Sequence, residues 1–149
     1  MRRGRNIMIR ICIATVMLLS TTLASAGSAL AIRNAWIGFL PGDRPSGGFF
    51  VLDNNSDREQ TLVAVSSDAF DDVSMHRTVD RGEAVSMTPV ASLNVPAQGQ
   101  VKFAPGSYHL MLIGPQRALQ LGDQVAVQFR FASGEETTVP FSIKPLWQE

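Results

Sequence analysis

From Ile32 to Ile143 the chain alternates apolar and polar residues in short runs, and it never sustains the three-to-four-residue period of a long amphipathic helix. Nine segments are β-branched, aromatic or alternating enough to predict strands: Ile32–Gly38, Gly48–Asn54, Gln60–Ser66, Asp72–Arg77, Ala84–Thr88, Gln100–Phe103, Tyr108–Ile113, Gln124–Phe131 and Glu136–Ile143. Turn-forming residues punctuate them, among them Pro41-Gly42-Asp43, Asp80-Arg81-Gly82, Pro96-Ala97-Gln98-Gly99, Pro105-Gly106 and Gly122-Asp123. The best helical stretch, Pro115–Leu121, is long enough for one turn within a loop. Strands at this spacing predict an all-β domain, an antiparallel β-sandwich with Greek-key connections. Neither a repeat nor a linker interrupts it, so residues 32–149 are expected to form a single domain.

The front of the chain breaks the pattern. Arg2, Arg3, Arg5 and Arg10 precede an apolar run from Ile11 to Leu19, followed by small residues with the motifs Ala24-Ser25-Ala26 and Ala29-Leu30-Ala31. This is the layout of a secretory signal, residues 1–31, with cleavage expected after Ala26 or Ala31. The run is too short to span a bilayer, so no membrane insertion is expected once the signal is removed. Cys12, the single cysteine, lies inside the run without the small residues that precede a lipid-attachment site. The exported body would then hold no disulfide and no thiolate. The formal charge of zero becomes −4 without those four arginines, nine basic residues against thirteen acidic. A mildly acidic body without basic runs excludes nucleic acid as a partner.

Chemistry concentrates in one window. Met75, His76, Met87, His109 and Met111 are the only histidines and methionines after residue 31. Imidazole and thioether are donors that suit copper(I), whereas hard cations call for carboxylates and carbonyls. In a strand, residues two apart share a face, so His109 and Met111 point one way and Leu110 and Leu112 the other. Ten residues containing Asp80-Arg81-Gly82 separate His76 from Met87, which is hairpin spacing. Met75 should face opposite His76, into the core.

The pattern His76, ten residues, Met87, twenty-one residues, His109-Leu110-Met111 resembles the signature of the periplasmic copper(I) chaperones of the PCuAC family. Asn34-Ala35-Trp36, Gly47-Gly48-Phe49-Phe50-Val51, Pro105-Gly106-Ser107-Tyr108 and Leu119-Gln120-Leu121-Gly122-Asp123 also look like that family, so the resemblance covers the whole body. It implies a cupredoxin-like β-sandwich in the periplasm and one copper(I) per chain, held by His76, Met87, His109 and Met111. It further implies delivery to the binuclear copper centre of cytochrome oxidase, with oxidase subunit II or another assembly factor as partner. Three positions depart from the family's pattern. Ser74 stands where relatives usually have an acidic residue, Arg77 where a second methionine sometimes follows the histidine, and Lys144–Glu149 where many carry a His- and Met-rich tail. A second copper site is therefore not expected.

Other classes fit less well. A blue-copper electron carrier needs a cysteine thiolate that the body does not offer. The sequence has no Gly-x-Ser-x-Gly elbow, no His-Glu-x-x-His helix and no phosphate loop, so an enzyme is not expected. Asp68, Asp71 and Asp72 read as a solvated acidic loop. Trp36, Phe49, Phe50, Phe103, Phe129, Phe131 and Phe141 read as core or site wall. The alternatives to a monomeric copper chaperone are a periplasmic copper storage or resistance protein and a metal-free β-sandwich interaction module.

Overall fold

The structure, a computed structural model, describes residues 29–40, 44–82 and 84–146. Residues 1–28 of the expected signal segment, with Cys12, the Pro41-Gly42-Asp43 turn, Glu83 and residues 147–149 lie outside the described residues. Ten strands follow one another: β1 (Leu30–Phe39), β2 (Ser46–Asn54), β3 (Gln60–Ser66), β4 (Phe70–Asp80), β5 (Val85–Pro89), β6 (Leu93–Val95), β7 (Gly99–Phe103), β8 (Tyr108–Pro115), β9 (Gln124–Phe131) and β10 (Glu136–Pro145). Hydrogen bonding runs through all of them in the order β5-β4-β8-β7-β2-β1-β10-β9-β3-β6.

That single ribbon folds over on itself to make two facing layers. Phe50 on β2 meets Phe129 on β9 and Phe141 on β10 edge-on, with ring centroids 5.1 and 5.7 Å apart, and stacks on Phe103 of β7 at 4.2 Å. The alternation read from the sequence is what makes this possible. In β9, Val125, Val127, Phe129 and Phe131 are buried while every residue between them is exposed. Pairing is antiparallel except where β1 runs parallel to β10 and where β7 meets β8 at the single pair Phe103–Tyr108. β1 can serve both layers because its register shifts between Arg33 and Trp36, where Asn34 takes a left-handed φ of 56°. Asparagine tolerates that conformation better than most residues.

Two details differ from expectation. β6 is a tenth strand, too short to register as a pattern, with only Leu93 and Val95 buried. It is fastened by the buried Asn54, whose amide donates to the Val95 and Pro96 carbonyls at 3.1 and 3.0 Å and to Arg58 O at 2.7 Å. The Pro115–Leu121 stretch contains no helical turn. Asp123 captures the Gln120 amide, which a helix would use for itself, at 3.2 Å and accepts from the Arg117 guanidinium at 2.9 Å, while Leu119 anchors the loop in the core. Arg117 and the Gln120 amide hold the Asp123 carboxyl below the usual carboxylate range.

Candidate metal centre

The site is built on β4, with β5 on one side and β8 on the other. His76 pairs directly with His109, Ser74 with Met111, and Thr78 with Met87. Directly paired residues share a sheet face, and so do residues two apart on one strand. One face therefore carries Ser74, His76, Thr78, Met87, His109 and Met111 together. The opposite face carries Met75, Leu110 and Leu112, all buried in the core. Met87 and Met111 are the two diagonal neighbours of the histidine pair, a separation of roughly 7–8 Å between strand positions, which thioether side chains can close. Hairpin geometry brings Met87 into place: Asp80 caps the turn by accepting from the Gly82 amide at 2.8 Å, and Gly82 takes a φ of 82°.

The two imidazoles lie with centroids 5.9 Å apart and planes tilted by 28°. His109 Nδ1 is 3.2 Å from the Ser107 carbonyl oxygen, which only accepts, so Nδ1 carries the proton and Nε2 holds a lone pair. His76 Nε2 is 3.2 Å from Ser74 Oγ, which in turn lies 3.2 Å from Asp72 Oδ2. His76 Nδ1 and His109 Nε2 are both buried and have no hydrogen-bond partner. Leaving such groups unsatisfied costs about 1–3 kcal/mol each, so a pair of them on adjacent strands calls for an acceptor of electron pairs.

Beside the pair opens a cleft of about 610 Å³. Met87, His109 and Met111 line it, with Phe49, Pro105 and Leu146 among its apolar walls. Gly47 pairs with Met111 and leaves room for the Phe49 ring, whose Cζ would stand 2.8 Å from any Cβ added there. Trp36 backs that ring at 4.7 Å. Met87 is 57 % exposed, His109 is buried, and His76 and Met111 are half-buried. The structure thus gathers all four predicted donors on one face, three of them on the cleft. Arg77 does not enter this face, since it projects from the other side of β4 with its guanidinium 5.5 Å over the Tyr108 ring.

Two neutral imidazoles and two thioethers form a soft, uncharged donor set suited to copper(I). Among the described residues no group of three or more His, Cys, Asp or Glu is placed to hold a metal ion. Burial, then the neighbouring His109, hold the His76 pKa below the ordinary imidazole value, with Asp72 opposing. A folded pKa below the unfolded one means that the unfolded chain binds more protons, so stability is present above about pH 6.5 and is lost as pH falls through the folded value. Thermal unfolding of the metal-free protein from about pH 7.5 to 5 should show His76→Gln losing less stability than the wild type. An equal loss in both would remove His76 as the cause.

Asp72 and Gly47 carry no sequence reading for the site, while Ser74 enters there only as a departure from the family's pattern and Phe49 only as core or site wall. Ser74 lies two residues from His76 and so on its face, a signal that was available; Phe49 reaches the cleft only through the pairing of Gly47 with Met111.

A β-sandwich with a His–Met donor cluster on one face is the class of protein that these features define. Residues 30–143 match the LpqE-like family of lipoproteins, and the chain belongs to that family. Lxx21020 of Leifsonia xyli subsp. xyli, described as a lipoprotein, is 26% identical over 124 residues, which is 83% of this chain and 74% of the relative. RP573 of Rickettsia prowazekii is 30% identical over 92 residues, and the match spans about half of its length (51%). Among solved structures, the copper-bound PCuAC domain from PmoF2 superimposes with a TM-score of 0.66 at 21% identity, over 78% of this chain and 93% of that one. CuI-DR1885 of Deinococcus radiodurans gives 0.67 at 24% identity, over 84% of both chains. The expected cupredoxin-like β-sandwich of PCuAC domains is therefore the fold of this chain.

Proposed function

We propose that this chain is an exported copper(I) chaperone that holds one copper(I) with His76, Met87, His109 and Met111 and surrenders it by ligand exchange. The observation that carries the reading is the pair of buried, unpartnered imidazole nitrogens on adjacent strands, flanked on the same face by two thioethers. Copper is bound by the PCuAC domain from PmoF2, and copper(I) by DR1885, both of the same fold. Thioethers need no deprotonation and put no negative charge on the ion, so such a site can bind and release without the oxidation that threatens thiolates outside the cytoplasm. Its activity is transfer of an ion, with no catalytic step on an organic substrate.

Export rests on the Arg-rich, apolar N-terminal layout and on a family described as lipoproteins. Cleavage after Ala26 is the better choice, because Leu30 is buried in β1 and cutting after Ala31 would remove it. A periplasmic location and delivery to the binuclear copper centre of cytochrome oxidase, through subunit II or another assembly factor, extend the resemblance. In this reading the single domain expected over 32–149 also takes in Leu30 at the start of β1, and the chaperone works as a monomer.

Titration against a competing copper(I) chelator, with copper(II) under air in parallel, tests the proposal. One tight copper(I) and weak copper(II) binding are expected. Met87→Leu and Met111→Leu should weaken copper(I) while costing under about 1.5 kcal/mol of stability, because volume is nearly conserved. Met75→Leu, in the core at 5% exposure, should leave affinity unchanged. Wild-type protein without copper(I) affinity would return the chain to the metal-free interaction module.

A further inference from the structure

We infer that Ser74 and Asp72 form a relay that fixes the tautomer of His76 and so presents its Nδ1, rather than its Nε2, as the copper donor. The inference rests on the copper reading above for its purpose, but the tautomer itself is a property of the metal-free chain.

The geometry fixes the direction of each proton. Ser74 Oγ stands 3.2 Å from Asp72 Oδ2 and 3.2 Å from His76 Nε2. An ionised carboxylate only accepts, so the single Ser74 proton goes to Asp72. The hydroxyl can then offer His76 only a lone pair, and the matching partner is an Nε2–H. A neutral imidazole carries one proton, so Nδ1 is left bare, which agrees with its standing buried and without a hydrogen-bond partner. His109 reaches the complementary state by a shorter route: the Ser107 carbonyl takes its Nδ1 proton and Nε2 is left bare. The two histidines thus present different ring nitrogens, each because an oxygen with no proton to give it accepts from the other. Residues that hold a ligating histidine by its second nitrogen set its orientation and basicity, and their loss costs about 10–100-fold in metal affinity. Ser74 and Asp72 are positioning residues in this sense, since neither is placed among the donors.

Imidazole nitrogen NMR on the metal-free protein, at a pH where both histidines are neutral, separates protonated from bare nitrogens directly. Wild type should show His76 with a proton on Nε2 and Nδ1 bare. Ser74→Ala removes the acceptor, and Asp72→Ala frees the serine proton to point at Nε2; both should shift His76 toward the other tautomer and weaken copper(I) by about ten-fold or more. Ser74→Asp supplies a carboxylate that again only accepts, so it should retain the wild-type tautomer. A wild-type His76 protonated on Nδ1, or a tautomer and affinity unchanged in both alanine variants, would overturn the relay while leaving the copper reading intact. Wild-type protein that shows the expected tautomer yet binds no copper(I) would overturn the copper reading, and the relay's purpose with it.

Discussion

Replacing both His76 and His109 with alanine should remove tight copper(I) binding and flatten its dependence on pH. Each imidazole must be neutral to donate, so every histidine ligand displaces one proton once the solution is acidic enough to charge it. With two such ligands, the apparent affinity of the wild type should fall by up to about two decades per pH unit below the imidazole pKa values. Thioethers contribute nothing to this slope. The direction of the His76 shift refines the expectation. Burial and the nearby His109 disfavour its charged form, so it stays neutral, and able to donate, to a lower pH than an ordinary imidazole at about 6.5. Either single alanine variant should show a slope nearer one decade, and the double variant nearly none. Chelator competition between about pH 5 and 8, corrected for the chelator's own protons, measures this. A wild-type slope near zero would exclude both histidines as donors.

Phe50→Ala should be the most destabilising single change in the sandwich, at about 3–5 kcal/mol. Its ring, 1% exposed, touches Phe103 within its own layer and both Phe129 and Phe141 across the core. Removing it leaves a cavity where the two layers meet, in a part of the sheet that cannot collapse without moving β9 and β10. Domains of this size are stable by only about 5–15 kcal/mol, so the loss is a large fraction of the whole. Urea unfolding followed by fluorescence or circular dichroism gives the value. A loss under about 1 kcal/mol would mean that the layers do not depend on this contact.

The strands were legible because most are half-buried, and half-burial writes a period of two into the sequence. β9 shows it cleanly. β6 did not announce itself, because three residues are too few to show a period and its fastening comes from Asn54, 41 residues before Val95. The loop at 115–121 misled for a related reason: its local composition permits a turn of helix, and only Asp123 and the burial of Leu119 decide otherwise. The opposite orientation of Met75 and His76 follows from adjacency alone, which is why it could be read in advance. The Asp72–Ser74–His76 contacts could not, because same-face spacing does not say which side chains turn toward one another. Nor could Phe49 be assigned to the cleft before the Gly47–Met111 register was known.

Met87 differs from the other proposed donors in the mechanical support of its strand. β4 and β8 are held by neighbours on both sides, whereas β5 is the outermost strand, all five of its residues exposed. Outer strands fray at little cost, while strands in the interior of a sheet open only with much of the protein. On the proposed coordination, β5 can lift away and take one thioether with it, while the other three donors keep the ion. The residence time of copper would then follow the fraying of five residues, and amide exchange along β5 would forecast how fast an incoming ligand can take the vacated corner.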